Sequence, residues 1–148
     1  MAQIRITKLF QFEMAHALYK YEGLCKNIHG HSYQLAVTIK GEPIKELNNP
    51  HDGMLMDFGK LKEIIKETII NEIDHALVLN KNDKKAVEIF KKQEMYKIVF
   101  VDYQPTCENM LVDFSKRIIP KLPKNTQLYS LKLRETASSF AEWYAEDN

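Results

Sequence analysis

The chain has 148 residues, 45% of them hydrophobic, and its 21 basic and 20 acidic residues leave a net charge of +1. This length and apolar content fit one domain over residues 1–148, with a core that needs no disulfides. The balanced charge gives no reason to expect a nucleic acid or an anionic membrane as partner. Residues 1–9 alternate charged and apolar types and contain no signal peptide or membrane span, so we expect a cytoplasmic protein that binds a small molecule.

Two early segments alternate apolar and polar residues, which predicts two β-strands. Apolar side chains occupy even positions in residues 4–18, and residues 31–40 repeat the pattern before Gly41. We expect the second strand to return antiparallel to the first. Leu35 and Val37 do not leave the second face of the sheet obviously polar, which suggests that oligomerisation covers it.

Apolar residues at helical spacing predict two long helices further along the chain. The first begins after Asp57 as N-cap and ends near Asp74. The second begins after Thr106 as N-cap and is interrupted near Pro120.

The order of the predicted elements defines the fold class. Residues 128–133 and 140–143 predict two final strands, which gives the order β-β-α-α-β-β. We therefore expect an α+β fold with a four-stranded antiparallel sheet and two helices on one face. An insertion at about residues 80–103 is predicted to hold a short helix and a strand at residues 98–101.

Three histidines form the clearest candidate site. His29 and His31 are two residues apart, so on a strand their side chains point to the same face. His16 lies near the end of the preceding strand, and an antiparallel return would bring it beside the pair. Three neutral nitrogen ligands without a fourth protein ligand are typical of a catalytic Zn²⁺ site. The alternative is a His-x-His pattern that arises on a strand by chance.

Cys25 lies four residues before His29, in the loop between the two predicted strands. We expect its thiol near the metal, where positive charge favours the thiolate and makes the side chain a base or nucleophile. The alternative is a buried, inert thiol. Cys107, in the first turn of the second helix, is most simply structural.

Asp74 and His75 are adjacent at the end of the first helix, and a carboxylate beside an imidazole can tune a general acid or base. Consecutive residues of a helix do not face each other, so the two can cooperate only if the chain turns at Asp74. The alternative is a histidine that interacts with the helix dipole.

Five short motifs occur together in one order. They are Cys25-x3-His29-Gly30-His31-Ser32-Tyr33, Gly53-Met54-x-Met56-Asp57-Phe58, Asp74-His75-Ala76-x-x-Leu79-Asn80, Pro105-Thr106-x-Glu108-Asn109 and Glu135-Thr136. In this combination the chain resembles the tetrahydropterin synthase family over residues 10–144. The resemblance implies a T-fold, in which three β-β-α-α-β-β units form an oligomeric barrel and two such trimers stack into a homohexamer.

Within that family, the spacing from Cys25 to His29 is similar to that of 6-carboxy-tetrahydropterin synthases of the queuosine and deazapurine pathway. The 6-pyruvoyl enzymes usually place the cysteine further upstream, and a folate-pathway variant carries a glutamate near this position. The resemblance implies a carbon–carbon lyase that converts 7,8-dihydroneopterin triphosphate to 6-carboxy-5,6,7,8-tetrahydropterin, acetaldehyde and triphosphate.

The resemblance also implies roles for individual residues. Cys25 would move protons on one side of the substrate, and His75, oriented by Asp74, would serve the other side. Glu135 would anchor the pterin ring, and Thr106 would line the same pocket. From position alone, Glu135 is equally a solvated strand end. Two alternative functions remain, a 6-pyruvoyl-tetrahydropterin synthase with the same residues and a noncatalytic T-fold protein that binds metal or pterin.

Overall fold

A six-stranded mixed β-sheet with helices packed on one face forms the framework of the computed structural model, which describes residues 2–148. In chain order the elements are β1 (Ile4–His16), β2 (His29–Gly41), α1 (Phe58–Ile65), α2 (Asn71–Ile73), β3 (Ala76–Asn80), α3 (Lys84–Phe90), β4 (Ile98–Val101), α4 (Cys107–Ile118), β5 (Thr126–Thr136) and β6 (Ser139–Tyr144). A π-helical turn, Lys66–Ile70, joins α1 to α2. The strand order across the sheet is β4-β3-β1-β2-β5-β6.

The two longest strands, β1 and β2, pair antiparallel along their full 13 residues, as the sequence predicted. Their register sets Phe10 opposite Leu35 and Phe12 opposite Tyr33, and all four side chains are buried. Because side chains alternate between the two faces of a strand, this register directs one continuous apolar set toward the helices.

Both long helices begin at the residues expected from their capping chemistry. The carboxylate of Asp57 accepts hydrogen bonds from the backbone N–H groups of Gly59 and Lys60. The hydroxyl of Thr106 accepts one from the backbone N–H of Asn109. Each cap satisfies N–H groups that have no partner inside the helix. The apolar faces of α1 and α4 then complete the core against the sheet.

The α+β class is confirmed, and the four predicted strands pair antiparallel in the order β1-β2-β5-β6. The sheet nevertheless has six strands and not the expected four. The short helix and the strand expected within the insertion are present as α3 and β4. The strand β3 pairs parallel with β1, and β4 pairs parallel with β3, so the insertion extends one edge of the sheet. Residues 76–80 show no period-two pattern, because a strand that is covered on both faces is apolar without alternation.

The sheet face away from the helices is polar. Leu35 and Val37 therefore do not belong to it, although the sequence analysis used them to infer an apolar outer face. Leu35 and Val37 are fully buried under the helices. The alternating positions on β2, among them Gln34 and Thr38, point outward, and Leu9 is an isolated exposed apolar side chain on β1. Among residues 2–148, no helix has the length and hydropathy needed to cross a lipid bilayer.

Candidate functional site

The three predicted ligand histidines lie together where β1 ends and β2 begins. The register pairs His16 with His29, and His31 lies opposite Met14. Strand alternation turns all three side chains to the helix-covered side of the sheet. One ring nitrogen from each histidine lies within 4.8 Å of the others, so the structure brings together the residues that the spacing pointed to.

Backbone carbonyls fix the orientation of two of these rings. The Nδ1 atom of His16 lies 2.7 Å from the carbonyl oxygen of Pro105, and Nδ1 of His29 lies 2.7 Å from that of Asn27. A carbonyl oxygen only accepts, so each Nδ1 carries the proton and each Nε2 carries a lone pair. These two Nε2 atoms are 3.0 Å apart. Two lone pairs at that separation repel unless a cation lies between them.

The third ring adds a buried nitrogen without a hydrogen-bond partner. Nε2 of His31 is the one buried side-chain polar atom without such a partner in the part of the chain that the structure describes. Burial, opposed in part by the bond to the Pro105 carbonyl, lowers the pKa of His16 and keeps this ring in the neutral form that binds metals. Three imidazole nitrogens that lie within 4.8 Å of one another fit Zn²⁺.

Glu135 lies beside the histidines, at the end of β5. Its Oε1 atom is 3.6 Å from Nε2 of His31. Its Oε2 atom accepts from the hydroxyl of Tyr33 and from the thiol of Cys107, each at 3.4 Å. Burial, together with the negative charge of Glu135, raises the pKa of both donors, so both stay protonated. The Glu135 side chain is 27% exposed, so it is accessible to a ligand.

The start of α4 contributes two contacts that the sequence analysis missed. The carbonyl of Pro105 orients His16, and Cys107, interpreted as structural, donates to Glu135. Pro105 and Cys107 are the sequence neighbours of Thr106, so the Pro105-Thr106-x-Glu108-Asn109 motif could have indicated that they lie near the site. Thr106 itself caps α4 through its hydroxyl. A role for Thr106 in a pocket stays a prediction.

Cys25 lies in a short 3₁₀ turn, Leu24–Lys26, within the loop that joins the histidine-bearing ends of β1 and β2. The thiol is free and partly exposed. The backbone carbonyl of Cys25 accepts from the N–H of Leu18 at 2.9 Å, which closes the loop. A partly exposed thiol can reach a ligand, whereas the thiol of Cys107 is buried.

Asp74 and His75 meet because the chain turns between them. Asp74 leaves the helix in an extended conformation, and His75 has a φ of 61°, which is uncommon for a residue other than glycine. In this conformation Nδ1 of His75 lies 2.9 Å from Oδ1 of Asp74. The same oxygen accepts the backbone N–H of Glu13 at 3.0 Å, and the carbonyl of Glu13 accepts the N–H of His75 at 2.6 Å.

Within one chain, this pair lies on the other side of the sheet from the histidine cluster. The side chain of His75 is 75% exposed and borders a cavity of about 510 Å³. Glu13, Ala15 and Ser32 also line the cavity, and they occupy the outward-facing positions of β1 and β2. Among the three histidines, within residues 2–148, only His31 borders this cavity.

Comparisons with known proteins match nearly the whole chain. The family model for 6-pyruvoyl tetrahydropterin synthase matches residues 5–146. The 6-carboxy-5,6,7,8-tetrahydropterin synthase of Rickettsia typhi is 35% identical to this chain in sequence, and that of Haemophilus influenzae is 34% identical. Both alignments cover 94% of this chain, and they cover 99% and 97% of those proteins.

Solved structures show the same architecture. The Caenorhabditis elegans 6-pyruvoyl tetrahydropterin synthase superposes with a TM-score of 0.68 at 23% identity and covers 98% of this chain and 97% of that chain. An uncharacterized protein from Wolinella succinogenes reaches a TM-score of 0.71 at 21% identity, covering 98% and 99%. These likenesses confirm the T-fold expected from the sequence.

Proposed function

The chain belongs to the 6-pyruvoyl tetrahydropterin synthase family, and from this premise we propose that it is a zinc-dependent 6-carboxy-5,6,7,8-tetrahydropterin synthase. The family is one of lyase-type enzymes that act on pterins. The proposed reaction is a carbon–carbon lyase step of queuosine and deazapurine biosynthesis. It converts 7,8-dihydroneopterin triphosphate and one water molecule to 6-carboxy-5,6,7,8-tetrahydropterin, acetaldehyde and triphosphate. The names of the relatives and the position of Cys25 support this choice of product.

One observation carries the proposal: three imidazole nitrogens converge beside Glu135, whose side chain is partly exposed. We propose His16, His29 and His31 as the zinc ligands. When bound there, Zn²⁺ supplies a Lewis acid that polarises the oxygens of the substrate side chain and acidifies the adjoining C–H bonds. The carbonyls of Pro105 and Asn27 hold two of the rings in the ligating tautomer.

Glu135 would bind the pterin ring. Tyr33 and Cys107 both donate to one oxygen of this carboxylate and so limit its rotation. The 2-amino and N3–H groups of a pterin form a paired donor edge, which a carboxylate accepts in bidentate fashion. Thr106, next to Cys107 at the start of α4, would line the same pocket.

Cys25 and His75 would move protons at the substrate side chain. Cys25 is partly exposed in the loop between two ligand histidines, so it would act on the side of the substrate nearest the metal. Asp74 holds Nδ1 of His75, which leaves Nε2 to exchange a proton. Because the Asp74–His75 pair lies across the sheet from the histidine cluster, we propose that it serves the site of a neighbouring copy in a homohexamer.

The decisive experiment is to incubate the purified, zinc-loaded protein with 7,8-dihydroneopterin triphosphate and to identify the products by mass. We expect 6-carboxytetrahydropterin with one equivalent each of acetaldehyde and triphosphate. Metal-stripped protein and Cys25→Ala protein are the controls, and the rate of both should fall by at least about 100-fold. The two free thiols are compatible with a cytoplasmic location, where this substrate would be met.

Two other outcomes would replace the proposal. A 6-pyruvoyl product would make the chain a 6-pyruvoyl tetrahydropterin synthase, which is the description of the matching family model and of the C. elegans structure. Tight binding of pterin without turnover would instead indicate a noncatalytic binding protein.

A further inference from the structure

The insertion at residues 80–103 forms one wall of the cavity that His75 borders. Its strand β4 extends the sheet next to β3, with Ile98 paired to Leu77. Phe90, Tyr96, Lys97 and Ile98 all line the cavity from this segment. The insertion is therefore part of the surroundings of the Asp74–His75 pair.

Lys97 connects the insertion to the end of the first helix. Its Nζ atom donates to the carbonyl oxygens of Asn71 and Asp74, each at 2.7 Å. In a continuing helix the carbonyl of Asn71 would accept the N–H of His75. That N–H donates to Glu13 on β1 instead, at 2.6 Å. The ammonium group thus replaces a helical hydrogen bond that is lost at the turn, and its charge opposes the negative end of the helix dipole.

These contacts hold the one conformation in which the pair can form. His75 has a φ of 61°, a region that costs energy for a residue with a Cβ and persists only where neighbours enforce it. The strand β1 holds the turn from one side through both backbone groups of Glu13. Lys97 holds it from the other side. Without the ammonium group two carbonyls would be left to solvent, and the turn could relax toward ordinary helical geometry.

We propose that Lys97 is a positioning residue, which holds the Asp74–His75 turn so that His75 projects toward its substrate. This inference rests on the proposed function. Within residues 2–148 the ammonium group of Lys97 donates to backbone carbonyls and not to the ring of His75, so its effect passes through the backbone of Asp74. Displacement of a catalytic group by about 1 Å can cost about 100-fold in rate, so the expected loss falls mainly in kcat.

The test compares Lys97→Met, which keeps the side-chain length but has no donor, with Lys97→Arg, which keeps charge and donors. Lys92→Met is the matched control, because Lys92 is an exposed lysine of the same insertion whose side chain has no hydrogen bond or ion pair within residues 2–148. Steady-state turnover of 7,8-dihydroneopterin triphosphate gives kcat and KM. Amide hydrogen exchange of the peptide over residues 72–78 reports the turn without requiring activity.

We expect Lys97→Met to lower kcat by about 10- to 100-fold, with KM changed by less than about threefold. Exchange at residues 74–76 should become about tenfold faster. Lys97→Arg should restore most of kcat and of the protection, and Lys92→Met should match the parent. If methionine prevents folding, Lys97→Gln, a neutral side chain with a shorter reach, takes its place under the same criteria.

The proposal is overturned if Lys97→Met leaves both kcat and the exchange of residues 72–78 unchanged. It is also overturned if kcat falls only in proportion to a lost folded fraction, since that is a merely structural effect. If the parent protein makes no pterin product, the proposed function fails, and the exchange measurement still decides whether Lys97 holds the turn.

Discussion

On the helix-covered side of the sheet, backbone carbonyls orient two rings of the histidine cluster, whereas on the outward side the ring of His75 extends from a turn that Glu13 and Lys97 hold. His16 is 2% exposed and is oriented by the start of α4. The side chain of His75 is 75% exposed, and it has its backbone and one carboxylate as supports. The three histidines of the cluster all come from one chain, whereas the ring of His75 lies at the surface beside the cavity.

This difference indicates that the two faces of the sheet have different functions. A cluster of one buried and two partly buried imidazole rings suits a bound metal, because backbone carbonyls hold two of the rings in orientation. An exposed acid–base pair beside an open cavity of about 510 Å³ suits a group that meets its substrate when another surface closes over it. The following variants test whether the two sides act at one shared site.

Loss of a metal ligand should have the largest effect. We expect His29→Ala to lose stoichiometric zinc and to lower turnover by about 1,000-fold or more, since a Lewis-acid metal supplies several kcal/mol of transition-state stabilisation. Elemental analysis of zinc per chain and the rate of product formation are the measurements. His51→Ala, at an exposed loop histidine, is the control and should keep both. A fully metallated His29→Ala protein would contradict the ligand assignment.

The proton-transfer residues should each matter somewhat less and should leave the metal in place. We expect Cys25→Ala and His75→Ala to keep zinc and to lose about 100- to 1,000-fold in kcat, the usual scale of general acid–base catalysis. Zinc analysis beside steady-state kinetics separates this result from metal loss. A Cys25→Ala protein that stays active would exclude the proposed role of the thiol.

Mixing the two inactive variants tests the division between the sides directly. If His75 serves a neighbouring copy, co-refolding Cys25→Ala with His75→Ala should regain about a quarter of the parent activity, the chance that one site receives both intact residues. The control mixture is Cys25→Ala with His29→Ala, whose changes lie on the same side of one chain, and it should regain nothing. No recovery in either mixture would mean that both groups act within a single chain.

The sequence was most informative where local chemistry decides the structure. The histidine cluster was predictable because side chains alternate along a strand and because β2 returns antiparallel to β1. Both features depend on residues that are near one another in the sequence. The caps at Asp57 and Thr106 were predictable for the same reason. The turn at Asp74, stated as a condition of the acid–base pair, is present.

What the sequence did not reveal depends on distant parts of the chain. The parallel pairing of β3 with β1 leaves no periodic signal, because both faces of β3 are covered. The contact of Cys107 with Glu135 joins residues that are 28 positions apart. The position of His75 relative to His16 could not be predicted, because it depends on the parallel pairing of β3 with β1, and no motif indicates that pairing. Lys97 contacts the backbone at the end of α2, but it lies in the insertion, at a position that none of the five motifs includes.

A smaller effect is expected at Glu135, the carboxylate beside the proposed metal site. Glu135→Gln keeps the shape of the side chain but replaces one acceptor oxygen with an N–H donor, which would face a donor edge of the pterin. We expect kcat/KM to fall by about 30- to 100-fold, with zinc content unchanged. Kinetics with zinc analysis measure both. Unchanged kcat/KM would place the pterin ring elsewhere.

The smallest effect should come from the hydroxyl of Tyr33, which donates to Glu135 at 3.4 Å from within the core. Tyr33→Phe removes one of the two donors to Oε2 and leaves the thiol of Cys107 as the other. We expect KM to rise by about three- to fivefold, with kcat nearly constant, because a single hydrogen bond to a carboxylate is modest in net energy. Tyr103→Phe is the matched control, since Tyr103 also donates to a carboxylate, that of Asp113, away from the histidines. Equal changes in KM for the two variants would mean that Tyr33 acts on general stability and not on the orientation of Glu135.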